Sequence, residues 1–370
     1  MCLQSVVRRQ LLRLTTNYGQ RSDPDMPDIR FGFCVPIFAF PGVGLFRTPG
    51  YAALDPATTM ALGRAADQLG YDSLWVADHL MLGRDDAILE GWTTLAALAG
   101  ATQHARLGMI HQANGFRHPA LAAKMAATLD QISGGRLIHF IDGGTQRREH
   151  LAYGLPWSDD IAERVARMRE GLELTLALWA AEQPVSFAGA HYRVEAAVCA
   201  PRPLQRPQPP VWFGEAHPAI LETCARYGQG WNSTPVTLPE LRQRLAALAE
   251  ACERVGRPFA ELEKSLEIQV LVAPDHVALR QRLRDIIALA PADQSPDAGL
   301  HAWLAGATDA LPNALAQTWI CGTPDQAEQR LRGYVAAGIT HFLLWFVDAP
   351  RLEGMQLFAE QIAPRFRRAE

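Results

Sequence analysis

The sequence predicts an α/β protein, a (β/α)8 barrel of the TIM type with insertions. Three observations predict it. Short apolar stretches bounded by turn residues alternate with helical segments from about residue 29 to the C-terminus, and such alternation argues for a parallel sheet. The stretches are apolar at nearly every position, as strands covered by helices on one side and a core on the other must be. Eight repeats fit one chain, which favours a closed barrel over an open doubly wound sheet.

The first strand is read at 30–36 (RFGFCVP). A helix follows over 56–69, with Asp55 as N-cap and Pro56 at its first position, where a missing N–H costs nothing. The second strand is 71–77 and the helix after it 92–102; the third strand is 105–111, and its helix, 119–132, closes at Gly134-Gly135. The fourth strand is 137–142, followed by a long helix over 159–179. Strands at 210–214, 230–232 and 266–273 come next, with helices over 218–227 and 238–255. The last repeat is helix 324–337, strand 341–346 and helix 352–366.

Three stretches break the rhythm, near 39–55, 182–209 and 290–317. The second contains SFAGAHYRV, read as a small hairpin, and the third reads as an added helix or lid. Loops after barrel strands build the active-site face, so the first and third are expected over the site. None resembles an inter-domain linker, so 29–370 reads as a single domain. Residues 1–28 read as a separate tail, with Arg8, Arg9, Arg13 and Arg21 and no acid before Asp23. It is either a mobile tail or an upstream start, with Met26 the natural one.

Charge and composition exclude several classes. Lysine and arginine number 35 against 39 acidic residues, a net charge of −4, so bulk charge will not hold a nucleic acid backbone. No apolar run reaches membrane-spanning length. Six scattered cysteines, none in a CxxC pair, suggest neither a zinc cage nor a disulfide scaffold and fit a reducing cytoplasm.

Barrel logic points to strand ends: Phe38–Phe40, Asp78-His79, His111-Gln112, Asp142–Gly144, Gly214–His217, Trp231-Asn232 and Trp345-Phe346. No HxH, GxSxG or strand-end lysine is among them, and no carboxylate cluster suited to magnesium is read there, so no metal is expected. What remains is aromatic, imidazole and amide groups able to hold a flat aromatic cofactor that carries the chemistry itself. Two glycine turns suit an anion: DGGTQRRE (142–149), with Arg147 and Arg148, and FGEAHP (213–218), which runs into a helix. Each residue also has a plainer reading. The glycines make tight turns anywhere, Asp78 caps a turn, and His79 and His111 fit a core edge. Arg147 and Arg148 fit a solvated loop; Trp75, Trp212, Trp319 and Trp345 fit packing, and Cys34 a small buried hydrophobe.

Taken together, GYDSLWVADHL (70–80), EGWTTLAALAGATQHARLG (90–108), FRHPALAAKMAATLDQISGGRL (116–137), EHLAYGLP (149–156), PRPLQRPQPPVWFGEA (201–216) and CGTPDQAEQRLRGYVAAGITHFLLWF (321–346) resemble the bacterial-luciferase-like flavin-dependent oxidoreductases. The resemblance spans about 29–368. It implies a luciferase-like barrel binding a flavin or deazaflavin at its C-terminal face, and a homodimer or homotetramer. It also implies Asp78 on the ring side, a bulged or cis peptide within Ile110–Gln112, and a phosphate near Gly143, Gly144, Gln146 and Tyr153 and near Gly214, Ala216 and His217. Glu215 departs from it, standing where many relatives carry a second glycine; a carboxylate repels a phosphate there unless it turns away or pairs.

The reading that follows is a monooxygenase using reduced FMN from a separate reductase, with O2, on a small organic substrate. His79, His111 and Arg47 would manage protons or an anionic group, and Phe38, Phe40, Phe46, Trp231 and Trp345 would line an apolar substrate pocket. The alternative is hydride transfer with a deazaflavin of the F420 type, its anionic tail held by Arg147, Arg148, Arg202 and Arg206. The third reading is a barrel that binds flavin without turnover.

Overall fold

The computed structural model describes residues 28–42, 44–290, 298–308 and 310–367; the tail before residue 28 lies outside them. Eight parallel strands close on themselves: β1 (Arg30–Cys34), β2 (Ser73–Ala77), β3 (Arg106–Ile110), β4 (Leu137–Ile141), β7 (Val211–Gly214), β8 (Gly230–Ser233), β9 (Glu263–Val272) and β11 (His341–Phe346). Closure runs through the β8–β9 and β11–β1 pairings, with Gly230 opposite Glu263 and Arg30 opposite His341.

The outer helices are α1 (Pro56–Gln68), α2 (Gly91–Ala101), α3 (Pro119–Ser133), the short α4 (Arg147–Ala152), α5 (Ile161–Ala180), α6 (Pro218–Tyr227), α7 (Leu238–Val255), α8 (His276–Ile287) and, later, α11 (Pro324–Ala336). Their ends follow the local chemistry. The Asp55 carboxylate accepts from the Ala57 and Thr58 N–H groups at 3.3 and 3.0 Å, and Gly134 closes α3 at φ 71°. Thr237 and Glu240 form a reciprocal capping box at the start of α7. The stretch at 185–197 is a hairpin, β5 (Val185–Ala188) against β6 (Arg193–Ala197).

Two features differ from the sequence reading. A ninth strand, β10 (Trp319–Gly322), lies outside the ring and pairs with the far half of β9, Trp319 opposite Gln269. β9 is ten residues long, while β8 covers only its first four. Without β10, backbone groups on that edge would be buried and unpaired. Second, the described part of 290–317 does not line the cleft. Leu300, Trp303 and Leu304 of α9 (Ala298–Leu304) are buried with Leu279 and Leu283 of α8, Leu271 and Leu45. Their apolar faces draw the segment into a satellite core that backs the first loop.

The barrel interior is filled by indoles. Trp75 and Trp212 meet at a centroid distance of 5.3 Å, and both are fully buried. Below them is a polar plug at the strand starts. Glu263 accepts from His341 Nδ1 at 2.8 Å, His341 Nε2 lies 2.7 Å from Ser73 Oγ, and Trp75 Nε1 donates to the same hydroxyl at 2.8 Å. In this Glu–His–Ser row Ser73 and His341 are buried and Glu263 is half-buried, and the row serves the fold. The five described cysteines are buried and free.

Candidate active site

The opposite, C-terminal end of the barrel holds a cleft of about 200 Å³. His111 stands at its centre. β3 ends at Ile110, and the Ile110–His111 peptide is cis. The imidazole lies flat on Phe140, with centroids 4.8 Å apart and planes 1° apart. Gly214 leaves room for it: a Cβ there would meet Phe140 at 3.0 Å and His111 at 3.1 Å. Around the ring are the Asn232 amide nitrogen, 3.2 Å from Nε2, Glu267, 3.7 Å from Nε2, and Asp142, 3.5 Å from Nδ1. Burial alone would disfavour the imidazolium, but Asp142, then Glu267 and Glu215, outweigh it and raise the His111 pKa above its ordinary value.

Each carboxylate is held differently. Asp142 accepts the Gly144 N–H at 2.8 Å with Oδ1, while its buried Oδ2 has no hydrogen-bond partner. Glu267 accepts from Trp345 Nε1 at 2.6 Å and pairs with Arg47 at 2.8 Å. Glu215 is half-buried in the wall, and its carboxylate, Asp142 and His111 bring ligand atoms within 4.8 Å of one another. The sequence reading of no carboxylate cluster is therefore corrected: loops after three barrel strands bring Asp78, Asp142 and Glu215 to one cleft, with Glu267 below.

A second histidine lies on the β2 side. Asp78 forms a bidentate pair with Arg117 at 2.9 and 3.0 Å and accepts the Ala113 N–H at 3.0 Å, fixing the loop after β3 to the end of β2. Burial raises its carboxyl pKa against the opposing pull of Arg117. His79, next in sequence, points Nδ1 at the buried Glu149 carboxylate, 2.8 Å away, and the other Glu149 oxygen accepts the Leu80 N–H at 2.6 Å. The dyad is thus oriented from both sides.

The two glycine turns differ. Gly144, Thr145 and Gln146 line the cleft, with the exposed Arg147 and Arg148 beside them, paired with Asp159 and Asp86. Arg164 packs on Trp157 at 4.5 Å next to Gly143, its buried Nε without a partner. At the other turn His217 accepts the Ala219 N–H and so caps its own helix, and Glu215 brings a carboxylate. Arg202 and Arg206 flank Gln205, which bonds to the Leu137 carbonyl at the start of β4, away from the cleft.

Other expected residues fall outside the cleft lining. Gln112 is buried, and its carbonyl accepts the Asp142 N–H; Tyr153 is 58% exposed and donates to the Leu80 carbonyl at 3.4 Å. Ala216 lies beyond the lining residues as well. Of the five aromatic residues, Phe46 alone lines the cleft, its ring 5.6 Å from that of the exposed Phe40. Phe38, Trp231 and Trp345 are buried; Trp231 Nε1 donates to the Glu215 carbonyl at 2.9 Å, so the tryptophans steady the carboxylate residues from behind. The sequence reading passed over Glu149, Glu267, Arg117 and Arg164. Glu267 carried a signal, the one charge within the strand as read from sequence at 266–273.

The profile of the family described as luciferase-like monooxygenase matches residues 29–341. An F420-dependent glucose-6-phosphate dehydrogenase of Beutenbergia cavernae is 32% identical over 326 residues, covering 85% of this chain and 95% of the relative. One of Nakamurella multipartita is 29% identical over 320 residues, covering 84% and 93%. Among solved structures, an F420-dependent secondary alcohol dehydrogenase superposes with a TM-score of 0.72 at 20% identity, over 92% of this chain and 100% of that one. A long-chain alkane monooxygenase gives 0.75 at 16%, over 93% of each. The structural likenesses show the barrel fold, and the family profile makes it a luciferase-like one. The curated relatives overturn the reading of a monooxygenase using reduced FMN, O2 and a separate reductase: the two above, like one of Amycolatopsis mediterranei, carry F420 dependence and dehydrogenase activity in their names.

Proposed function

The chain belongs to the luciferase-like monooxygenase family, and within it we propose an oxidoreductase that moves a hydride between an F420-type deazaflavin and a small alcohol or carbonyl substrate. The observation that carries this is the His79–Glu149 dyad in the cleft of a chain 32% identical to an F420-dependent dehydrogenase.

The residues fit the cofactor. Leu82, Ile110, Ala113 and Phe116 give apolar surface for a flat ring. Gly143 to Gln146, with Arg147, Arg148 and the orphaned Arg164 Nε close by, suit the anionic chain. When bound, the deazaflavin supplies a two-electron hydride acceptor and no proton chemistry at the alcohol oxygen. That proton is left to the protein. His79 Nε2 takes it as the alcohol becomes a carbonyl, and Glu149 stabilises the imidazolium through Nδ1–H. Arg47, tied to Glu267, and His111 shape the charge of the wall.

The test is anaerobic titration of the purified protein with oxidised deazaflavin and with FMN, followed by a panel of small alcohols. Binding of the deazaflavin and loss of its visible absorbance with one of the alcohols are expected. Tighter binding of FMN, or product formed only with oxygen, would overturn the proposal.

A further inference from the structure

The loop after β1 holds two phenylalanine rings out at the mouth of the cleft. Phe46 lines the cleft and Phe40 meets it edge to face at 5.6 Å; each is 37% exposed. A single exposed apolar side chain is ordinary, but here the backbone is strained where the rings are exposed. Leu45 and Arg47, on either side of Phe46, lie in the left-handed region at φ 48° and 50°, which residues other than glycine rarely adopt. Both are pinned to β9. Gln269 Nε2 donates to the Leu45 carbonyl at 2.6 Å, the Leu45 side chain is buried in the satellite core, and Arg47 pairs with the buried Glu267 at 2.8 Å. The ends of the loop are fixed as well: the Ala39 carbonyl accepts the Arg84 N–H at 2.7 Å, and the Gly50 N–H donates to the Val347 carbonyl at 3.0 Å. With both neighbours drawn inward, Phe46 is turned outward into the cleft. Strain of this kind persists only where the surrounding structure imposes it, and it gathers at ligand sites.

We infer that Phe40 and Phe46 form the subsite for an apolar group of the substrate, so that the substrate is an alcohol or carbonyl compound bearing an aromatic or similarly bulky apolar substituent. This names a substrate class for the hydride-transfer reading and rests on that reading. The cofactor does not account for the pair. The apolar bed suited to its flat ring comes from Leu82, Ile110, Ala113 and Phe116, in β3 and the loops after β2 and β3, whereas Phe46 is carried by the loop after β1 and held to β9. A phosphorylated substrate fits this wall poorly. Among the described residues that line the cleft, lysine is absent, and the sole arginine, Arg47, is paired with Glu267 and packs its guanidinium on the Phe46 and Trp345 rings at 4.9 and 5.4 Å. An apolar ring laid against Phe40 and Phe46 takes their exposed surface out of water and adds an aromatic contact.

The test is calorimetric titration of the full-length protein, loaded with oxidised deazaflavin, with acetophenone, acetone and glucose 6-phosphate. The two ketones differ by phenyl against methyl, and neither can reduce the oxidised cofactor, so their heats report binding alone. Acetophenone should bind at least about tenfold tighter than acetone, and glucose 6-phosphate weakest. Phe46→Ala and, separately, Phe40→Ala should bring the acetophenone-to-acetone ratio to near one, while Phe46→Tyr should keep it. Equal affinity for the two ketones overturns the inference, as does binding of neither, or an unchanged ratio in either alanine variant. Glucose 6-phosphate binding as tightly as acetophenone, or reducing the cofactor, also overturns it. Deazaflavin affinity is measured first. A protein that binds no deazaflavin loses the hydride-transfer reading and this inference with it; one that binds the deazaflavin but does not prefer acetophenone loses this inference alone.

Discussion

His79 gains its character from a residue seventy positions away. The Glu149 carboxylate fixes the ring through Nδ1 and is itself fixed by the Leu80 N–H, so both members arrive oriented. Replacing His79 by Asn should lower turnover by about 10²- to 10⁴-fold while deazaflavin affinity stays within a few-fold; steady-state rates and a binding titration separate the two. Glu149→Gln should cost less, since the ring keeps its place but loses its charged partner, with deazaflavin affinity again within a few-fold. His111 offers a spectroscopic check. Its imidazolium is favoured by Asp142, Glu267 and Glu215 over the opposing effect of burial, which raises its pKa. It therefore contributes stability that is complete below about 6.5 and lost as pH rises through the folded value. Proton NMR titration should find His111 above its ordinary value, and Glu267→Gln should lower it. The histidines were legible as strand-end polar residues. Their carboxylate partners were not, because Glu149 reaches His79 only after the chain has passed through two more strands, and Glu267 is hidden within a strand.

At the scale of elements, the eight barrel strands and most of their helices were legible, because apolar runs, caps and breaks carry that information locally. β10 was not: four residues give too little period to read, and its role, covering the β9 edge that β8 leaves open, exists only in the folded sheet. The plug at the strand starts was equally hidden, since Arg30, Ser73, Arg106, Glu263 and His341 meet only when the barrel closes. Its energetics are testable. Burial opposes the Glu263 carboxylate, but the His341 hydrogen bond and charge, with Arg106 and Arg30, bring its pKa down to about 2. A depressed carboxylate stabilises the fold above its unfolded value and loses this as pH falls toward the folded one. Glu263→Gln should cost about 3 kcal/mol near neutrality. The gap between parent and variant should narrow steadily below about pH 4.5, as followed by denaturant midpoints. A pH-independent gap would assign the loss to packing.

For the molecule as a whole, closure depends on matching large to small around the interior. Trp75 on β2 faces Gly108 on β3, where a Cβ would come within 2.2 Å of the indole; Trp212 on β7 faces Gly230 on β8, where the approach would be 2.3 Å. Neither indole has a free direction to move, since the two rings meet each other and His341, whose centroid is 6.2 Å from Trp75 and 5.4 Å from Trp212. A single methyl at either glycine must then shift a ring that touches strands from both sides of the barrel. Gly108→Ala should cost about 1–3 kcal/mol, and Gly230→Ala about the same. The loss should be felt by the entire barrel, because a closed sheet has no edge at which to absorb a local shift. Thermal unfolding followed by tryptophan fluorescence and by far-ultraviolet circular dichroism should fall together in each variant, as one transition at lower temperature. If the fluorescence change comes first and the secondary structure melts at the parental temperature, the indole layer is a local feature and closure is held elsewhere, chiefly by the polar plug beneath it.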